Sequence, residues 1–214
     1  MATFGVGQLA LRQGDLSQAL AVFERGLAVC QSHDLRDWLP TLAARVGYAY
    51  ALAGRLPEAL TLLEQAVGQC EVMRGGFLPA AYVIWLGEAY LLAGRLDEAY
   101  TQAQRALEFS CAHQERGNEA YALRLLGEVA AQHHPPQGER AEAHYRQALA
   151  LAEALGMRPL QAHCHRGLGT LYATTGQREQ ARAELSTAIE LYQTMEMTLW
   201  LPQAEAALAQ EKEG

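Results

Sequence analysis

Apolar and small residues recur along the chain at helical spacing. From Val83 to Ala106 they fall as Val83-x2-Leu86-Gly87-x2-Tyr90, then Gly94-Arg95-Leu96-Asp97-Glu98-Ala99, then Ala103-x2-Ala106. Steps of three and four place each group on one helical face, and Gly94 suits a left-handed residue just past a helix end. The stretch therefore reads as a helix, a glycine turn and a second helix. The pattern stands forty residues upstream as Ala43-x2-Val46-Gly47-x2-Tyr50, Gly54-Arg55-Leu56-Pro57-Glu58-Ala59 and Leu63-x2-Ala66, so the chain is a repeat.

Small residues align five copies: Gly7, Gly47, Gly87, Gly127 and Gly169 in the first helices, and Ala19, Ala59, Ala99, Ala141 and Ala181 in the second. The alanines are spaced 40, 40, 42 and 40. A third column holds Gly26, Ala66, Ala106, Ala148 and Ala188, and a mostly large one Phe23, Leu63, Ala103, Tyr145 and Leu185. Two antiparallel helices approach closely only where Gly or Ala offers no bulk, and the large residue fills the space beside that contact. A single pair cannot bury its apolar face, so stability depends on the next pair. Gly14, Gly54, Gly94 and Gly176 mark the turns within pairs. Ser17, Pro57, Asp97, Glu139 and Glu179 suit the first turn of each second helix.

These columns predict a single array over residues 1–214, with repeats at about 1–33, 34–75, 76–115, 116–156 and 157–196 and a capping helix at 197–212. Asp34-Leu35-Arg36 and Gly75-Gly76 are the expected turns between repeats, and the third repeat begins at Phe77. In the fourth, His133-His134-Pro135-Pro136-Gln137-Gly138 forms a turn two residues longer than its counterparts, because proline ends the helix. Leu201, Ala204 and Leu208 give the last helix one apolar face, with Gln203, Glu205 and Gln210 elsewhere, as an end cap requires. The first repeat starts late, its leading slot being already Thr3, so Met1 is expected to begin a fragment of a longer protein.

Composition narrows the function. A formal charge of -7 without any run of Lys and Arg leaves no basic excess for a phosphate backbone, so nucleic acid is not expected as a partner. No apolar run approaches the roughly 18 residues of a membrane span, and no leader pattern opens the chain. No membrane and a cytoplasmic location are the expectations. Of the four cysteines, Cys30 and Cys70 share a slot in which Ser110 and Ala152 follow. That slot takes small residues, which reads the thiols as reduced and packed.

The recurring columns resemble the tetratricopeptide repeat. The resemblance implies an all-α, right-handed superhelical solenoid of antiparallel helix pairs. It departs from the common form in its period, about 40 against ~34, and in a leading Trp slot occupied by Thr3, Ala43, Val83, Leu123 and His165. The long repeats, the Ala141–Leu155 run and the Met195–Leu201 ending look like the C-terminal arrays of large bacterial signalling proteins. In those proteins the array follows an ATPase module and sometimes a nucleotide cyclase or a DNA-binding regulator.

In this family the first helices line a concave groove, whose positions lie six, three and two before the aligned glycine and one and five after it. That implies Thr41, Ala44, Arg45, Tyr48 and Leu52, then Ala81, Ile84, Trp85, Glu88 and Leu92. The fourth and fifth repeats give Tyr121, Arg124, Leu125, Glu128 and Gln132, then His163, Arg166, Gly167, Thr170 and Thr174. Rings supply buried area and guanidinium groups fix the direction of a carboxylate. Packing between repeats is the other reading for Trp85 and Tyr121. The clamp that holds C-terminal carboxylates in chaperone-binding members needs asparagine and lysine, and this groove has neither, so a Glu-Glu-Val-Asp type of ligand is not expected.

Metal and catalytic chemistry find little support. His163 and His165 are two apart on a helix and point about 200° from each other, so they cannot chelate one ion. There is no phosphate loop, Gly-x-Ser-x-Gly, His-Glu-x-x-His or Cys-x-x-Cys. Glu88 and Glu128 share a slot on successive first helices about 10 Å apart, too far for a carboxylate pair. The expectation is a non-catalytic interaction scaffold, with no metal or cofactor, whose groove holds a peptide, helix or domain of a partner or of its parent chain. The alternative is a regulatory array that senses a small ligand within a larger signalling ATPase or nucleotide cyclase. A third reading is self-association through the uncovered N-terminal end, near Phe4.

Overall fold

The computed structural model describes residues 2–73, 79–133 and 137–213, with no description of the side chains at 2–4, 73 and 211–213. The expectations about the Gly75-Gly76 turn, the Phe77 start, the Thr3 slot, the Phe4 side chain and the His134-Pro135-Pro136 segment lie outside what is described. The described residues form eleven helices in sequence: α1 Ala2–Gln13, α2 Leu16–Ser32, α3 Leu39–Leu52, α4 Leu56–Met73, α5 Ala80–Leu92, α6 Leu96–Ala112, α7 Arg116–Gln132, α8 Gly138–Ala154, α9 Arg158–Thr174, α10 Arg178–Thr194 and α11 Leu201–Glu213. This is the all-α series of helix pairs that the columns predict, closed by a last single helix. Their contacts gather into two compact units, Met1–Ala106 and Leu107–Gly214.

In unit 1, α1 packs on α2, α2 on α3, α3 on α4, and α5 lies against both α3 and α4. The slot glycines allow the approach. A Cβ on Gly47 would stand 2.8 Å from Leu63 Cγ, and Gly7 meets Phe23 in the same way. Ala19, Ala59 and Ala66 are fully buried beside these contacts. Buried apolar area of this kind stabilises by roughly 25 cal/mol per Å². Two polar ties join consecutive pairs: Tyr50 donates to Glu24 at 2.7 Å and Tyr90 to Glu64 at 2.8 Å.

Unit 2 repeats the scheme with α7 on α8, α8 on α9, α9 on α10, and α11 on α10. Tyr145 of α8 wedges between α7 and α9, and a Cβ on Gly127 or Gly167 would strike its ring at 2.9 or 2.5 Å. Gly169 stands equally close to Leu185. Ala204 of α11 is fully buried against Ala162, Ala188 and Tyr192, which makes α11 the cover of this core.

The turns follow one rule. Within pairs, Gly14, Gly54, Gly94 and Gly176 carry φ between 73° and 92°, a region that glycine enters without strain. Between pairs, the left-handed residue is Asp34, Gln114, Gly156 or Glu196. The amide after it returns to the small-slot carbonyl: Leu35 to Cys30, Glu115 to Ser110, Met157 to Ala152 and Met197 to Tyr192, at 2.8 to 3.0 Å. That bond satisfies a helix-end carbonyl and holds the left-handed conformation even where no glycine stands.

Candidate functional site

Two clusters of the expected residues form, one in each unit. In unit 1, α3 and α5 bring Tyr48 and Trp85 face to face, with ring centroids 5.1 Å apart and planes 12° from parallel. Tyr82 also stacks on Trp85, with centroids 5.7 Å apart, and the Arg45 guanidinium lies 5.7 Å from the Trp85 ring centre. Arg45 donates to the Thr41 carbonyl at 3.2 Å, and Tyr82 donates to the Thr41 hydroxyl at 3.0 Å. Burial lowers the pKa of Arg45, and Tyr82 opposes that shift. Stacked rings with a cation over one face contribute about 0.5–1.5 kcal/mol per contact beyond area burial. Tyr48, Trp85 and Arg45 remain half-buried. Ile84, 2% exposed, lies inside the core, and Glu88 is buried as well.

In unit 2, Arg124 and Glu128 follow each other by one turn on α7, and Arg124 donates to Glu128 at 2.5 Å. Arg166 of α9 reaches the same Glu128 oxygen at only 3.6 Å, so that carboxylate is held chiefly by Arg124. The firmer partner of Arg166 is the neutral Gln203 side chain on α11, which accepts a hydrogen bond from it. Arg124 is 6% exposed, whereas the Arg166 side chain is 23% exposed. The accessible guanidinium is therefore Arg166. Thr170, one turn on, is exposed, with its hydroxyl satisfied by the Arg166 carbonyl at 2.9 Å.

His163 lies beside this group. Its Nδ1 shares a 2.8 Å hydrogen bond with the Tyr192 hydroxyl, and its ring meets the edge of Trp200 at 5.2 Å. Burial first, then Arg124 and Arg166, hold its pKa well below the ordinary imidazole range. The ring is neutral at pH 7. Burial also pushes the Tyr192 hydroxyl and the Cys164 thiol up to about 12, which leaves both protonated and unreactive. His165 turns to Glu184 at 2.5 Å, so the two histidines of α9 face different partners. Among the described residues no group of three or more His, Cys, Asp and Glu could hold a metal ion. Tyr121 packs at the margin of the core between α7, α8 and α9, while Gly167 serves the Tyr145 wedge.

Tyr82, Tyr192, Trp200 and Gln203 are the members of these clusters that slot counting missed. Counting covered first helices only, and Trp200 and Gln203 belong to the last helix and its approach. Tyr192 did carry a signal, since it is a large polar residue in the slot filled by Cys30, Cys70, Ser110 and Ala152.

Comparison with known proteins agrees with this architecture. Residues 166–194, the end of α9 and all of α10, match the tetratricopeptide repeat model. No curated protein matches the chain by sequence. Among solved structures, BtubC (BKLC) from P. vanneervenii is similar with a TM-score of 0.61 and 18% identity, over 96% of this chain and 90% of that one. A signal transduction ATPase with numerous domains from Pyrococcus horikoshii, which carries a tetratricopeptide repeat sensor, is similar at 0.64 and 15%, over 98% of this chain and 32% of that one. NprR in complex with its cognate peptide NprX is similar at 0.61 and 16%, over 96% and 63%. One stretch of the chain thus matches the tetratricopeptide repeat by sequence, and the helix-pair fold of the described residues is that of tetratricopeptide-repeat structures.

Proposed function

We propose that the chain is a non-catalytic interaction scaffold that holds a peptide or helix of a protein partner, and that Arg166 is the residue that takes the partner's carboxylate. The carrying observation is the unequal sharing of Glu128. Arg124 sits at hydrogen-bond distance from its oxygen, Arg166 lies more than an ångström further off, and the firm contact of Arg166 is an uncharged amide. An accessible guanidinium is a charge-assisted donor for an acidic side chain. Tyr48, Trp85 and Arg45 supply a second, aromatic surface of the kind that anchors partner segments. A structural neighbour seen with its cognate peptide supports the class of ligand. No helix of the described residues is long and apolar enough to cross a membrane.

One observation favours a second reading, a sensor array within a larger signalling protein: the chain is similar to about a third of an ATPase that carries such a sensor. The readings separate by experiment. Affinity capture from the source lysate with the intact chain beside Arg166→Gln, read by mass spectrometry, yields under the scaffold reading a protein retained by the first and lost by the second. If neither form retains a protein while small metabolites raise the melting temperature, the sensor reading replaces it.

A further inference from the structure

Arg166 meets its two neighbours through different nitrogens. Nη1 donates to the Gln203 side-chain oxygen, and Nη2 lies 3.6 Å from a Glu128 carboxylate oxygen. The pair of Nη atoms is a fork with which arginine grips a carboxylate by two parallel bonds. One tine of that fork is therefore held within the chain. Glu128 is bound by Arg124 and lies beyond hydrogen-bond distance of Nη2, so the bond to Gln203 is the contact an incoming carboxylate has to break.

The register of α11 explains why Gln203 stands there. Ala204 is fully buried in the core cluster that holds Ala162, one turn before Arg166 on α9, with Ala188 and Tyr192 of α10. The residue before a buried helical position points about 100° further round the helix. Here that carries Gln203 to the edge facing Arg166. Gln203 is itself exposed, and its amide nitrogen stands 3.5 Å from the Leu199 carbonyl, the outer limit of a hydrogen bond. Ala204, Trp200 and Leu201 seat α11 on the core, so the Gln203 side chain can swing away while the helix stays.

We propose that Gln203 is a specificity gate of the Arg166 site, occupying Nη1 until a partner's carboxylate displaces it; the inference rests on the reading of Arg166 as the group that takes that carboxylate. The amide offers one oxygen and no formal charge. A carboxylate offers two oxygens and a full negative charge, and takes both Nη atoms at once. A neutral partner residue such as asparagine exchanges one amide oxygen for another and gains nothing. The gate thus admits Asp or Glu and turns away their amides.

The test follows modification of Arg166 by phenylglyoxal, an arginine-specific dicarbonyl, in the intact chain by peptide mass spectrometry, with the exposed Arg178 as internal reference. Gln203→Ala is expected to raise the Arg166 rate roughly threefold, and Gln203→Glu, which sets a carboxylate on the same fork, to lower it by a similar factor. The Arg178 rate, the melting temperature and the Trp200 indole signal stay unchanged. Opposite shifts in the two variants cannot come from a loosened α11, which would raise both rates. At constant ionic strength, N-acetylaspartate methylamide is expected to protect Arg166, at lower concentration in Gln203→Ala than in the native chain, and its asparagine counterpart to give no protection. Equal Arg166 rates in the native chain and Gln203→Ala, with aspartate protection kept, overturn the gate and leave the reading of Arg166 standing. Rates that follow Gln203 without aspartate protection in any form, or with equal protection by asparagine, overturn the carboxylate reading and the gate with it.

Discussion

Ser110 occupies the slot that Cys30, Cys70 and Ala152 fill, fully buried, and its hydroxyl has no hydrogen-bond partner among the described residues. An unsatisfied buried hydroxyl costs about 1–3 kcal/mol. Ser110→Ala is therefore expected to raise stability in urea by roughly 1 kcal/mol, and a loss instead would show that the hydroxyl is satisfied. His163 gives a pH dependence. Its folded-state pKa lies well below the usual ~6.5 because of burial, then Arg124 and Arg166. As pH falls below that value the unfolded chain takes up the proton first, so stability present at pH 7 is lost on acidification. His144, lowered by its burial and by Arg140, acts in the same direction. His163→Gln should lose less stability than the native chain between pH 7.5 and 5.5, and equal losses would assign the effect to other groups. At this scale the small slots were legible because a missing side chain is a visible constraint. The Tyr192–His163 bond was not, because it joins a slot of a second helix to a slot of a first helix that no single-helix pattern relates.

The helices themselves were legible to within a few residues wherever a glycine or alanine column set the contact. Gly169 shows why. A Cβ there would meet Leu185 Cγ at 2.6 Å and the Leu185 backbone nitrogen at 3.1 Å, and the backbone cannot move aside. Gly169→Ala is expected to cost about 1–3 kcal/mol. Gly68 lies within α4 with nothing within 4 Å of an added Cβ, so Gly68→Ala should raise stability by roughly 0.5–1 kcal/mol. Denaturant melts of the two variants are expected to move in opposite directions, and a shift of the same sign would contradict the distinction between contact and open glycines. The turns divide the same way. The turns at Gly14, Gly54, Gly94 and Gly176 were read from the glycine and that at Asp34 from its position, whereas the Gly156 turn was not read, and the positive φ of Asp34, Gln114 and Glu196 is not announced by residue type. Their conformation comes from an amide returning to a helix-end carbonyl, a bond that depends on where the helix stops rather than on the turn residue.

Across the whole molecule, the solved structures similar to this chain share its fold at 15–18% identity. The fold needs small and large residues at interior slots, which leaves the outer and ligand-facing positions free to differ, so likeness of fold carries no partner with it. Which of the implied groove residues reach a surface was likewise hidden from counting. Ile84 and Arg166 share the position three before the glycine, yet one is core and the other half-exposed, because burial depends on neighbours contributed by other helices. Arg124 is buried against Glu128, so a charge reversal there would test folding, whereas Arg166 tests binding. The most direct measurement places a photo-crosslinking amino acid at Thr170, exposed one turn from Arg166, with the exposed Glu190 of α10 as control. In the source lysate the account predicts an adduct at Thr170 with a partner segment bearing Asp or Glu, absent at Glu190 and abolished by Arg166→Glu. Adducts that form equally at both positions, or that survive Arg166→Glu, would contradict it.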